Sequence, residues 1–356
     1  MLSDRFYDAL VLAVFGLAAC VAVLTLATLL HHARVSLRMR RQRRRGAVLL
    51  PLVCAAVAEP ETGDALLSRL RRSDRKVLLP ILLQLALDLR GEEAMRVCAL
   101  AEASGLAAAE RRRLYSLRST VRSEAVKSLG VLRSEESLPR LLHLLENDRR
   151  REVRLASAWA VGEVGGRGAV HGLLAVLEAP DPGVVRRIQE VLIEAAPDAS
   201  EEVVAYVRRT SSDSARRAAV ELLGALRDPR ASECLLELVD AADPELRTKV
   251  IKAAAAIADP RFAETFRGLL RDSAWSVRCQ AATGLGNIGA VEGIAELSDA
   301  LGDEAWWVRF NAASALAELG APGRAALAQS TIDPDPLRSE VARYVLERSG
   351  LEREAA

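Results

Sequence analysis

The stretch DSAWSVRCQAATGLGNIG at residues 272–289 is followed, in register, by DEAWWVRFNAASALAELG at residues 303–320. The two share an aspartate, a Val-Arg dipeptide, an Ala-Ala pair, a leucine three residues further on and a closing glycine, so that Asp272 matches Asp303 and Arg278 matches Arg309. Moving outward, an apolar residue followed by arginine recurs with its arginines at Arg122, Arg154, Arg186, Arg216, Arg247, Arg278, Arg309 and Arg338, at intervals of 32, 32, 30, 31, 31, 31 and 29 residues. A period of this length marks an array of small stacked units rather than a globular domain with one closed core.

The chemistry around the dipeptide repeats too. Asp148, Asp181, Asp213, Asp243, Asp272, Asp303 and Asp333 precede the later arginines, and Pro182, Pro244 and Pro334 each follow such an aspartate. Aspartate caps a helix start and proline fits its first turn, so each dipeptide is placed in the opening turns of a helix. Eight residues after the arginine stands Gly130, Gly162, Gly224 or Gly286, or else Ala255 or Ala317, with Glu194 the exception. A small residue there lets another helix approach closely. A second amphipathic run follows, such as LPRLLHLLEND at 138–148 or ASECLLELVD at 231–240, with apolar residues at helical spacing. Each unit therefore reads as helix, turn, helix in about 31 residues. Half of the residues are apolar but only 4% are aromatic, and Ala, Leu and Arg, which favour helix over strand, dominate.

The pattern Asp, Val-Arg, Ala-Ala, Ala-Leu-Gly resembles HEAT repeats, in the short form also found in phycobilisome-lyase-like proteins, over roughly residues 112–351. The resemblance implies an all-α solenoid of helix pairs in which the aspartates and arginines of neighbouring units bond as a ladder, carried here by Asp272, Arg278, Asp303 and Arg309. It is weakest around residues 184–213, where Glu194 and Pro197 replace the glycine turn. Residues 46–111 show helical runs without the signature and are expected to form a divergent capping region; 352–356 read as a tail.

Before the array, residues 9–30 carry no charge. As a helix of about 33 Å they match a hydrocarbon core of about 30 Å, and a single transmembrane helix is expected. Positive charge follows this segment, which argues against a cleavable signal peptide. Arg5 alone precedes it, while Arg34, Arg38, Arg40, Arg41, Arg43, Arg44 and Arg45 follow in the segment 31–45. That asymmetry places residues 1–8 outside and the solenoid in the cytoplasm, as in a bacterial inner membrane, with these arginines against anionic headgroups.

Residues 46–356 hold 41 basic and 46 acidic side chains, a net charge of −5, which counts against nucleic acid as the ligand. Gly284, Gly286 and Gly289 spell G-x-G-x-x-G, but they close a predicted helix instead of joining a strand to one. The four histidines, His31, His32, His143 and His171, have no metal-ligand spacing, and five scattered cysteines form no C-x-x-C pair. No catalytic residue, metal or cofactor is assigned. Trp275, Trp306 and Trp307 precede the Val-Arg dipeptides of two successive units; they either cover the seam between units or form a partner-binding patch. The expected function is a membrane-anchored scaffold for a protein partner, with envelope or exopolysaccharide synthesis as the context the resemblance implies. The alternatives are a lyase-like enzyme acting on chromophore-bearing proteins and a HEAT-type nucleic-acid-binding protein.

Overall fold

A computed structural model describes residues 2–179 and 181–349; the side chains at 2–20, 22, 38, 60, 72 and 349 lie outside the description. Every regular element among the described residues is helical. The chain divides into two compact units, one ending at Arg113 and the other beginning at Leu114.

In the first unit, α1 (Leu2–Ala58) is followed by α2 (Gly63–Arg69), α3 (Arg75–Asp88), α4 (Gly91–Ala103) and α5 (Leu106–Arg113). Leu49, Val53 and Val57 of α1 are buried with Leu78 and Leu82 of α3 and Val97 and Ala101 of α4. Arg96 of α4 donates to the carbonyls of Val57 and Ala58 at 3.2 Å each, satisfying acceptors that the end of α1 leaves free.

The expectation of a membrane-spanning helix is corrected here. Among the described residues no helix is long and apolar enough to cross a membrane. Of the segment 9–30, only the side chains of Val21 and of residues 23–30 lie within the description, and α1 runs on from them through the arginine-rich segment to Ala58 without a break. The membrane partner and the single-pass topology that were drawn from this segment are withdrawn with it. Arg34, Arg40, Arg41, Arg43 and Arg44 stand exposed on α1, and Arg38 lies outside the described side chains. Arg45 differs: it clamps Asp74 with two bonds, Nε to Oδ1 at 2.9 Å and Nη2 to Oδ2 at 2.7 Å, tying α1 to the turn before α3.

The second unit is a stack of helix pairs. They are α6 (Ser119–Val131) with α7 (Leu138–Asn147), α8 (Arg151–Val164) with α9 (Gly166–Ala175), α10 (Pro182–Ala195) with α11 (Ser200–Arg209), and α12 (Asp213–Leu226) with α13 (Ser232–Leu236). Then come α14 (Pro244–Ile257) with α15 (Ala263–Leu269), α16 (Trp275–Ile288) with α17 (Ile294–Ala300), α18 (Trp306–Glu318) with α19 (Gly320–Ser330), and α20 (Pro336–Ser349). The third residue of each first helix from α8 to α18 is apolar and buried: Val153, Val184, Ala215, Leu246, Val277 and Val308. Because helical side chains recur every 3.6 residues, this residue and those four and seven positions later line one core-facing stripe.

The small residues set how closely successive first helices approach. A Cβ at Gly130 would lie 2.9 Å from Cα of Ala160, at Gly224 2.8 Å from Cα of Ala253, and at Gly286 3.1 Å from Cα of Ala315. Backbone cannot yield as a flexible side chain can, so a larger residue at Gly130 or Gly224 forces the helices apart.

These contacts also fix the register. Arg122, Arg154, Arg216, Arg247, Arg278 and Arg309 are each the fourth residue of their helix, whereas in α10 that place belongs to Val185, and in α20 to Ser339. Arg186 sits one residue late and Arg338 one residue early. Gly162 contacts Val191, six residues after Val185, just as Gly130 contacts Ala160, six after Arg154. The residue equivalent to the glycines in α10 is accordingly Ile193 rather than Glu194; before α20, Asp333 accepts the Asp335 N–H at 2.9 Å, as Asp303 accepts that of Ala305, and Asp335 in turn accepts the Leu337 N–H at 2.9 Å.

Candidate functional site

Two constructions stand out on the second unit. The first is internal: an arginine near the start of one first helix reaches the aspartate that opens the next. Arg122 binds Asp148 through Nε at 2.8 Å and Nη2 at 2.9 Å, and Arg278 binds Asp303 through the same atoms at 2.7 and 2.9 Å. Arg154 reaches Asp181 at 2.7 Å, and Arg247 reaches Asp272 at 3.4 Å. The remaining donor turns back to the arginine's own loop, six residues earlier: Arg122 to the Ser116 carbonyl, Arg154 to Asp148, Arg216 to Thr210, Arg247 to Ala241, Arg278 to Asp272 and Arg309 to Asp303. Each aspartate meanwhile accepts a backbone N–H two residues on, such as Ala274 for Asp272 and Ala305 for Asp303, both at 2.8 Å. One side chain thus fixes its own loop and the next unit's loop together.

Four of the sequence-derived arginines make no such bond to the aspartate of the next unit among the described residues. Arg186 is largely exposed and, among the described residues, pairs only with Glu190 on its own helix at 3.4 Å. Arg338 lies 3.8 to 4.0 Å from Asp335, Asp333 and Asp299. Arg216 keeps its loop carbonyl but pairs with Asp213 of its own helix, and the neighbouring Arg217 makes the 2.8 Å bond to Asp243. Arg309 holds the carbonyls of Asp303 and Glu304, and its Nε is buried without a hydrogen-bond partner among the described residues.

The second construction is aromatic. Trp306 and Trp307 are the first two residues of α18; Trp306 stacks on Phe310 with centroids 5.1 Å apart, and Trp307 meets Trp306 edge-on at 4.8 Å. Tyr344 of α20 closes the group, 6.4 Å from Trp306 and 6.2 Å from Phe310. These are the offset and T-shaped geometries that ring quadrupoles favour. The cluster is nonetheless open to solvent: Trp306 is 43%, Trp307 55% and Tyr344 43% exposed. Trp275 opens α16 at the position equivalent to Trp306 and is 50% exposed, without a ring contact among the described residues. Leu337, two turns before Tyr344 on the same face of α20, is exposed as well. Phe310 and Tyr344 were not singled out from sequence; Phe310, one helical turn after Trp306, was legible from spacing.

Residues 112–193, 200–277 and 264–347 match the family of HEAT repeats. The chain belongs to the HEAT-repeat family. Among solved structures it is similar to an engineered protein, at 22% identity and a TM-score of 0.30, over 83% of this chain and 82% of that one. It is similar also to importin beta, at 16% identity and a TM-score of 0.43, over 90% of this chain and 53% of importin beta, and to a mutant of Kap121p, at 14% and 0.38, over 78% and 42%. No curated protein matches the chain. The family match skips the residues between 193 and 200, which join α10 to α11 within the HEAT unit whose arginine register slips.

A further set of ion pairs joins the second helices of neighbouring HEAT units, or the turns that flank them: Arg167 with Glu202 at 3.3 Å, Arg230 with Glu201 at 3.1 Å and Arg208 with Glu237 at 2.7 Å. Arg230 and Arg261 also grip Asp228 and Asp259, the caps of the short turns before α13 and α15, and with the backbone N–H bonds hold both carboxyls down to about 2 against burial. Hydrogen bonding from Arg45 brings Asp74 to about 2 as well. These groups bind protons less readily folded than unfolded, so their stabilisation is complete above the ordinary value of 3.8 and is lost as pH falls through it toward about 2. The melting temperature is expected to fall steeply across that window, and a flat profile there would show that the pairs contribute nothing. Asp228→Asn and Asp259→Asn should flatten it.

Proposed function

We propose that the protein is a non-catalytic scaffold that holds a protein partner on the aromatic face of its C-terminal HEAT units. The observation that carries this reading is the cluster of Trp306, Trp307, Phe310 and Tyr344: four rings in contact, two of them half-exposed tryptophans, in a chain only 4% aromatic. Tryptophan and tyrosine supply large, stiff contact area, and they dominate the energetic centres of protein interfaces. The rings are braced against one another before a partner arrives, which lowers the ordering cost of binding. The Arg278–Asp303 clamp fixes the loop from which α18 starts and so holds the first two tryptophans of that helix in place. Trp275, at the equivalent position one unit earlier, extends the surface along the stack.

The test is a photo-crosslinking amino acid placed at Trp307 in the full chain, expressed in its native cells, with a second placement at the exposed Arg186 as control. A discrete protein adduct from position 307 and none from 186 is expected. Equal adducts from both positions, or an adduct from 186 alone, would reject the aromatic face as the partner surface.

A further inference from the structure

At its N-terminal end the second unit holds a cavity of about 560 Å³, lined by Tyr115, Arg122 and Arg140 and by Asp148, Arg149 and Arg150 of the loop between α7 and α8. We propose that this cavity is a binding site for a phosphomonoester.

The charge balance of the lining supports an anion. It contains four arginines and one carboxylate, Asp148. Asp148 is fully engaged: both oxygens accept from Arg122, and Oδ1 also accepts the Arg150 N–H at 2.9 Å. Arg122 is engaged in turn, with Nη1 donating to the carbonyls of Ser116 at 2.7 Å and Leu117 at 3.2 Å. The Arg122–Asp148 pair is therefore a neutral floor. Arg140, Arg149 and Arg150 stand around it with no ion pair among the described residues.

Arg140 is also prepared for a ligand. Its guanidinium lies 4.3 Å over the ring of Tyr115, which fixes the plane of the fork. Planar guanidinium forks pair with phosphate oxygens two at a time, and three arginines with the hydroxyls of Ser116 and Ser119 match the several acceptors of a tetrahedral dianion better than the two of a carboxylate. The volume exceeds what a lone phosphate fills and lies in the range of small-ligand sites. Tyr115 and Leu117, 67% and 99% exposed, leave apolar surface for whatever carries the phosphate. A phosphodiester chain would instead need a continuous basic track, and residues 46–356 are net acidic.

Two sources share this chemistry: free inorganic phosphate and a phosphorylated side chain of a protein. Isothermal titration calorimetry on the full chain separates them, using inorganic phosphate, a short alanine peptide with one central phosphoserine, and the same peptide unphosphorylated. Saturable heat from a phosphorylated probe and none from the unphosphorylated peptide is expected. A peptide that binds at least about tenfold more tightly than inorganic phosphate identifies a protein side chain as the ligand, and equal affinities identify the free ion. Arg140→Ala should weaken binding about tenfold or more. The double variant Arg149→Ala, Arg150→Ala changes only exposed loop side chains, so it tests the site even if the first variant disturbs the packing on Tyr115. No binding by either phosphate probe, or binding that the double variant leaves unchanged, overturns the proposal. It rests on residues apart from the aromatic face, so neither reading depends on the other.

Discussion

Arg278→Ala is expected to destabilise the second unit by about 3 kcal/mol, the low end of the cost of removing one partner of a buried ion pair. The Arg278 side chain is 10% accessible and that of Asp303 is 11%. The substitution leaves Asp303 charged and largely buried with, among the described residues, the Ala305 N–H as its remaining hydrogen-bond donor, and it frees the carbonyls of Asp272 and Ser273, which Arg278 holds at 2.8 and 3.2 Å. The pair also raises the Arg278 pKa and lowers that of Asp303, in each case against the opposing effect of burial. Arg309→Ala should cost less, since Arg309 holds its own loop carbonyls but has no bond to the aspartate of the following unit. Arg186→Ala should leave the transition unmoved, because that side chain is 81% accessible and pairs only within its helix. Urea unfolding followed by circular dichroism, with hydrogen exchange of α16 and α18 to localise the loss, checks the order Arg278, Arg309, Arg186. Equal effects at 278 and 186 would show that the arginines are solvated surface groups.

That ordering could not be read from the dipeptide alone. The period, the helix–turn–helix unit and the role of the small residues at 130, 224 and 286 were legible, because each rests on local chemistry that recurs: an aspartate before a helix, an apolar third residue, a glycine where backbone meets backbone. The register in α10 was not, since Val185-Arg186 copies the dipeptide one residue late, and only the buried Val184 and the contact of Gly162 with Val191 reveal the shift. The exchange of roles between Arg216 and Arg217 depends on which of two adjacent side chains points to the next unit, a matter of packing rather than pattern. Phe310 follows Trp306 by one helical turn and was open to inference, but Tyr344 joins the cluster only through the contact of α18 with α20. The apolar segment 9–30 was read from its hydropathy alone, and among the described residues no helix is long and apolar enough to cross a membrane.

Trp307→Ala is expected to abolish recovery of the partner while moving the melting temperature little, and Trp306→Ala to abolish recovery and lower the melting temperature as well. Trp307 is the more exposed of the two and meets its neighbours through ring edges, whereas Trp306 stacks flat on Phe310 with 9° between planes and reaches Tyr344 across to α20. An aromatic pair contributes about 0.5 to 1.5 kcal/mol beyond its buried area. Trp306→Ala should therefore lower stability by roughly 1 to 2 kcal/mol, less than the several kcal/mol of a core truncation, because 43% of the ring is already in water. An interface centre formed by both rings should lose at least about 2 kcal/mol of binding for either truncation, a weakening of more than about twentyfold. Trp306→Phe keeps a flat ring against Phe310 and should restore most of the stability but only part of the binding. If the tryptophans merely cover the seam between units, the result reverses: both alanine variants lose stability in proportion to area, and the fraction that stays folded retains the partner. Measuring the melting temperature and the partner affinity on the same three variants separates the two roles, and retention of binding by folded Trp307→Ala would remove the aromatic face from the function of this protein.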